Sequence, residues 1–403
     1  MSLPARDVTA TTGVVTDPIR VMVVDDSVVV RGLLSRWIDE NAEMAVVASH
    51  RNGRAAVEDV ERANPDVVVL DVEMPEMDGL TALPLLLKKK RDLVVIMAST
   101  LTRRNAEVSL KALSLGAQDY VPKPESNSGI TTSTDFRRDL LEKIRQLGGR
   151  RRRMHRGAPA GAGHAAQPAA APTSRFARPG GAAPAAAHAA AAAPAVARSG
   201  GFATRPYSSV KPRILVVGSS TGGPQALTKL FGVIGRAIGD IPVLVTQHMP
   251  PTFTAILAEH LMKAAGRPAA EGKDGESVIA GRIYVAPGGK HMLLAKGDHG
   301  NIIRLNDGPA VNFCKPAVDP MFESVSRAYG SAVLSVVLTG MGSDGAKGAG
   351  VISSGGGSVI AQDEASSVVW GMPGATANSG VCSDVLPLDD IGPKIMRVLQ
   401  GGR

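Results

Sequence analysis

The chain has 403 residues, of which 20% are charged and 3% aromatic, and a formal net charge of +8. That length excludes a single small domain and allows two or three cores, built from Val, Leu, Ile, Ala and Met rather than from rings. Two distant cysteines, Cys314 and Cys382, exclude a disulfide scaffold and suit a reducing compartment.

The positive charge is local. No Asp or Glu lies between Lys143 and Arg236, and residues 150–213 hold eleven Lys or Arg; without them the chain is slightly acidic. The first residues lack the basic-then-apolar pattern of a signal peptide. No apolar run reaches the ~18 residues of a membrane span. The expectation is a cytoplasmic protein, not inserted in a membrane.

In chain order, apolar runs at 20–24, 45–48, 66–70, 93–97 and 119–121 alternate with amphipathic stretches such as 28–38 and 106–115. Continuous apolar strands between helices predict a parallel sheet covered on both faces. Residues 18–147 therefore read as a small doubly wound α/β domain of five strands, with ligands at the carboxyl ends of the strands. Residues 148–210 are rich in Ala, Pro, Gly, His and Arg and bury too little apolar surface to offset ordering, which predicts a flexible linker. Pro184 and Pro194 limit the Ala run at 185–193 as a helix. His155, His164 and His188 have irregular spacing that sets no metal geometry. Residues 211–403 return to α/β order, with strands near 214–217, 242–246, 282–285, 333–338 and 358–360. Helices are expected at 224–234, 251–265, 320–328 and 390–399, and hairpins within 272–310.

The first domain concentrates acid at its strand ends. Asp25 and Asp26 end the first strand and Asp71 the third, so three carboxylates converge. Like charges so close destabilise one another unless a cation intervenes, and hard oxygen ligands at an open site suit Mg²⁺. Ser99 ends the fourth strand and Lys123 the fifth. A hydroxyl and an ammonium beside the metal would clamp a phosphate placed on a carboxylate there. The competing reading, that strand-end acids cap helices, fits Asp26 and Ser27 but not all five positions together.

The second domain places Gly218-Ser219-Ser220-Thr221-Gly222-Gly223 between a strand and a helix. Residues 218–222 fit the Gly-x-Ser-x-Gly elbow spacing, with Ser220 central. A serine nucleophile needs a base, and His248 at a strand end is the best candidate. The base needs an orienting acid, and Asp344 sits in the glycine-rich turn after another strand. The Thr221 and Met341 amides are candidate oxyanion donors. The order Ser, His, Asp differs from the Ser, Asp, His of α/β-hydrolases. An anion-binding loop and a plain turn both remain open for 218–223 on spacing alone. Cys314 beside Lys315 reads as a bystander thiol and Asp319 as a helix start.

Two resemblances extend this reading. Residues 20–147 resemble the receiver domain of bacterial response regulators through Asp25-Asp26, Asp71 with Met74-Pro75 and Asp78-Gly79, Ser99, and Tyr120-Val121-Pro122-Lys123-Pro124. This implies that Asp71 accepts a phosphoryl group from a histidine kinase. It implies Mg²⁺ on Asp26, Asp71 and the Glu73 carbonyl with Asp25 assisting, and movement of Ser99 and Tyr120 on phosphorylation.

Residues 213–401 resemble the catalytic domain of the CheB family, chemotaxis protein-glutamate methylesterases. The matching blocks are 218–224, 246–250, 284–288, 316–319 and 338–346. This implies Ser220 as nucleophile, His248 as base and Asp344 as its orienter. The implied substrate is a glutamate methyl ester on a chemoreceptor, hydrolysed to glutamate and methanol, with deamidation of particular receptor glutamines. The esterase chemistry needs no cofactor. The linker departs from the family pattern in length and composition.

Two rivals belong to other classes. A response regulator binding nucleic acid through 150–213 would explain the charge, but that segment lacks a helix-turn-helix pattern and interleaved aromatics, so no specific nucleic acid is expected. A receptor-binding scaffold with a dead site conflicts with the complete Ser, His and Asp set.

Overall fold

The computed structural model describes residues 17–124, 134–157, 198–199 and 201–402. The expectations for the Ala run, His164 and His188 lie outside the described residues, as do the side chains of His155 and the other linker residues there. The first apolar runs form five parallel strands: β1 (Ile19–Val24), β2 (Met44–His50), β3 (Val67–Asp71), β4 (Val94–Thr100) and β5 (Asp119–Lys123). Their order is β2-β1-β3-β4-β5. The chain switches side between β1 and β3, which opens a crevice at their carboxyl ends.

Around this sheet lie α1 (Val28–Asp39), α2 (Gly53–Ala63), α3 (Gly79–Lys89), α4 (Arg103–Ser114) and α5 (Thr134–Gly157). Side chains of Ser27, Asn52, Asp78 and Thr102 accept first-turn amides of the first four helices, satisfying donors that a helix start leaves open.

Helix α5 continues past residue 147 to Gly157, through the first residues of the expected linker. Arg151 pairs with Asp66 and Asp92, Arg152 with Asp17, and Arg150 donates to the Ser367 carbonyl. Composition alone hides such distant partners. After the short antiparallel pair β6 (Arg198–Ser199) and β7 (Phe202–Ala203), residues 204–208 lie against the second domain. The Arg205 amide donates to the Cys382 carbonyl at 2.8 Å and the Tyr207 hydroxyl to Asp384 at 2.8 Å.

The second sheet has seven parallel strands ordered β10-β11-β9-β8-β14-β15-β16. They are β8 (Ile214–Ser219), β9 (Val243–Gln247), β10 (Ala269–Glu271), β11 (Ile283–Val285), β14 (Val333–Val337), β15 (Ser358–Gln362) and β16 (Asp384–Leu386), with β12 (His291–Gly297) and β13 (Gly300–Asn306) as the hairpin expected within 272–310. The helices are α6 (Gly223–Ile234), α7 (Phe253–Ala265), α8 (Val318–Tyr329), α9 (Ala346–Ser354), α10 (Met372–Asn378) and α11 (Leu388–Leu399). Strand β8 lies between β9 and β14, so the second switch of direction falls at the end of β8. Edge strands β10 and β16, three residues each, are too short for a pattern to reveal.

The two domains share an apolar junction. Leu110, Leu113 and Tyr120 belong to the same buried cluster as Leu227, Phe253 and Leu257. The Tyr120 ring lies over Phe253 with centroids 4.5 Å apart and planes 7° from parallel, a stack worth about 0.5–1.5 kcal/mol beyond area burial. Around it, Arg103 pairs with Glu259 at 2.8 Å and Gln225 donates to the Ala117 carbonyl at 3.0 Å. Among the described residues, no helix is long and apolar enough to cross a membrane.

Candidate active site

Parallel pairing assembles the second site from distant residues. Ser220 follows β8 and His248 follows β9, while Asp344 lies in the turn after β14, and β9-β8-β14 are adjacent. His248 Nε2 lies 2.7 Å from Asp344 Oδ2. Ser220 is half-buried, and its Oγ makes no hydrogen bond among the described residues.

Adjacent hydroxyls are disposed differently. Ser219 is fully buried and donates to Gln247 Oε1 at 2.6 Å, and Gln247 Nε2 donates to the Ser220 carbonyl at 2.8 Å. Thr221 is 3% exposed. Of the three, only Ser220 opens toward solvent. Gly222 has φ +75°, and a Cβ there would meet the Val368 side chain at 2.5 Å, so the turn requires glycine.

Asp344 is 1% exposed and held by an unusual number of donors. Its Oδ2 accepts the Val318 amide at 2.6 Å, and its Oδ1 accepts the Asp319 and Gly345 amides at 3.0 Å each. Val318 and Asp319 open α8, so the positive end of that helix faces the carboxylate. Burial opposes the charge, but His248 and these amides hold the carboxyl below its ordinary value. Asp319 returns the favour at α9, accepting the Gly345 and Gly348 amides at 3.0 and 2.7 Å. Sequence reasoning read Asp319 only as a helix start, although its place in the matched block 316–319 was a signal.

The cleft beside His248 has a volume of about 210 Å³ and is lined by Asn312, Phe313, Cys314, Met341 and Asp344 among others. The Thr221 and Met341 amides donate to no acceptor among the described residues. Helix α5 of the first domain reaches the rim of the cleft, where the Arg138 guanidinium lies 4.8 Å from the ring centroid of Phe313, a residue that stays 81% exposed. Cys314 and Cys382 are both free thiols.

At the first site the expected residues also converge. Carboxylate oxygens of Asp25, Asp26 and Asp71 lie within 4.8 Å of one another. Lys123 Nζ lies 2.6 Å from Asp25 and 2.7 Å from Asp71. Burial pushes the Asp71 carboxyl up to about 6, with Lys123 pulling it down and Asp25 adding to the rise. That crowding of acid with an outward-facing Asp26 fits a hard divalent cation. Ser99 Oγ is bonded to Ser109 Oγ at 2.8 Å, and Tyr120 is turned inward, 4% exposed.

Two parallel sheets, one with an acidic crevice and the other with a serine–histidine cleft, define the class: a response-regulator receiver joined to an α/β ester hydrolase. Family models agree on both halves, with a response regulator receiver domain matching residues 21–135 and CheB methylesterase matching 215–395. The chain belongs to the protein-glutamate methylesterase/protein-glutamine glutaminase family. A relative of that name from Rhodopseudomonas palustris (strain BisB5) is 56% identical over 408 residues, covering 100% of both chains. One of the group 2 operon of Bradyrhizobium diazoefficiens is 58% identical over 386 residues, covering 96% of this chain and 95% of its own. The solved Thermotoga maritima CheB methylesterase catalytic domain is 38% identical, with a TM-score of 0.44, covering 47% of this chain and 100% of its own.

A tight packing contact gives a first prediction. A Cβ on Gly340 would lie 2.8 Å from Ser220 Cβ and 2.9 Å from its amide. Gly340→Ala is expected to fold but to lower ester turnover roughly 100-fold by displacing Ser220. Wild-type turnover from the folded variant would show that Ser220 needs no such placement.

Proposed function

We propose that Ser220, His248 and Asp344 carry the hydrolysis, and that phosphorylation of Asp71 controls access to them. The observation that supports this most directly is the adjacency of β9, β8 and β14, which brings His248 and Asp344 to 2.7 Å at the end of the serine strand. Ser220 Oγ attacks the glutamate ester carbonyl and His248 takes its proton. The Thr221 and Met341 amides face the developing oxyanion. Methanol leaves with a proton from His248, and water then releases the glutamate carboxylate. The same acyl-enzyme route on a glutamine side chain releases ammonia.

At the receiver, Asp25, Asp26, Asp71 and the Glu73 carbonyl would hold Mg²⁺, which neutralises charge on a transferring phosphoryl group. Asp71 accepts the phosphoryl group, Lys123 pairs with it, and Ser99 and Tyr120 respond. Tyr120 stacks directly on Phe253 of the catalytic domain, so reorientation of this ring alters the junction itself. The unphosphorylated receiver covers the cleft, and phosphorylation shifts the population to an open form.

The proposed partners are methyl-accepting chemoreceptors as substrate and a chemotaxis histidine kinase as phosphodonor, in the cytoplasm. Specific nucleic-acid binding is disfavoured because Arg150, Arg151 and Arg152 already engage acceptors of this chain. The proposed division is a receiver over 18–147 extended by the end of α5, and a catalytic domain over 211–403 edged by 201–210.

The test is methanol release from methylated chemoreceptor membranes, with and without a small phosphodonor and Mg²⁺. Release should rise with phosphodonor in the wild type. Asp71→Asn should keep the basal rate and lose the stimulation. Equal stimulation in both proteins would refute the gate, and no release from folded protein would refute the esterase assignment.

A further inference from the structure

His248 has two ring nitrogens and two partners, and neither partner is the serine. Nε2 faces Asp344 at 2.7 Å, and Nδ1 faces Cys314 Sγ at 3.3 Å. An ionised carboxylate only accepts, so Nε2 carries a proton, and Nδ1 is the nitrogen that must receive the proton of Ser220. The thiol occupies Nδ1 in either protonation state. As S–H it donates to the Nδ1 lone pair; as thiolate it accepts from an Nδ1–H that is already protonated.

The backbone brings the sulfur there under constraint. Val311 and Cys314 exchange backbone hydrogen bonds of 3.1 and 2.9 Å across the two-residue turn Asn312-Phe313. Both turn residues have positive φ, 51° and 63°. The left-handed region disfavours a bulky residue such as Phe313, so the surroundings must hold the turn. Asn312 Nδ2 lies 3.3 Å from both Asp319 Oδ2 and Asp344 Oδ1, which pins one side. Arg138 of the receiver lies over Phe313 on the other.

We propose that Cys314 is a positioning residue of the esterase, whose thiol holds the second ring nitrogen of His248 away from Ser220 in the covered enzyme. The inference rests on the reading of Ser220 and His248 given above. Catalysis then requires His248 to exchange the sulfur for the serine hydroxyl, and the Arg138 contact ties that exchange to the position of the receiver.

The charged and titratable groups that act on the ring are Cys314 from the turn and Asp344 from the loop after β14; Asp319 of α8 reaches this set only through Asn312, and Arg138 of α5 only through Phe313. Burial disfavours the imidazolium, but the Cys314 charge and the bonds to Asp344 and Cys314 push His248 up to about 10. A base that holds its proton cannot accept another. Unstimulated turnover of the wild type should therefore keep rising with pH above neutral, as the neutral ring becomes populated.

The experiment is the pH profile of unstimulated methanol release by the full chain, comparing wild type, Cys314→Ala and Cys314→Ser. Both variants should move the rising limb at least about one unit to lower pH, which is about tenfold more neutral base at a given pH below the limb. Turnover at neutral pH should rise severalfold. Cys314→Ser fills nearly the same space, so a shift in both follows the sulfur and not a cavity. A limb unmoved in both folded variants, with Ser220→Ala inactive, overturns this inference and leaves the triad standing. Loss of turnover in Cys314→Ala with activity retained in Ser220→Ala makes the cysteine the nucleophile and overturns both.

Discussion

Ser220→Ala is expected to lower methanol release by at least about 10⁴-fold, because the acyl-enzyme route loses its nucleophile while binding and oxyanion donors persist. Folding should survive. Ser220 Oγ makes no hydrogen bond among the described residues, and the backbone bonds of Ser220 to Thr339 and Gly223, at 3.0 and 2.7 Å, do not involve its side chain. A change in stability within about 1 kcal/mol fits a half-buried site with no lost partner. Methanol release and a thermal melt on the same preparation test both halves. A well-folded variant turning over near the wild-type rate would remove Ser220 from its role. Ser219→Ala is a useful contrast, since that hydroxyl is buried on Gln247 and its loss should act through stability.

Asp344→Asn is expected to cost about 10³–10⁴-fold in kcat, or about 4–5.5 kcal/mol of barrier. The carboxylate accepts His248 Nε2 and three backbone amides at 2.6–3.0 Å. A carboxamide turns one of those acceptors into a donor. Either the imidazole loses its tautomer control, or an amide at the start of α8 meets another N–H. Asp344→Glu should recover little of the loss, because the three backbone amides that hold the carboxylate fix its position for the shorter side chain. Kinetics at saturating substrate test this, because KM should change far less than kcat. A folded Asp344→Asn enzyme with full kcat would refute the orienting role.

Much of both candidate sites was legible in the chain because most of their residues lie at the ends of buried strands. Val- and Ile-rich runs can be located from local pattern, and a parallel sheet presents its ligands where those runs stop. Asp25, Asp71, Lys123, Ser220 and His248 all follow from that rule. Asp344 followed less directly, being seven residues beyond Val337 in a glycine-rich turn. Cys314 was visible as a thiol but not as a partner of His248, from which it is 66 residues distant in the chain.

Local pattern was enough to reveal the two α/β domains, the acidic pocket and the serine turn, because strand burial and turn chemistry act over a few residues. Contacts between distant strands left only one of three adjacent hydroxyls accessible, since Ser219 is buried on Gln247 and Thr221 is 3% exposed. Tertiary structure also decided that His248 meets Asp344 across 96 residues of chain, that α5 runs on to Gly157, and that Tyr120 rests on Phe253. Each of these depends on strand order or on packing between distant surfaces, which no local pattern encodes.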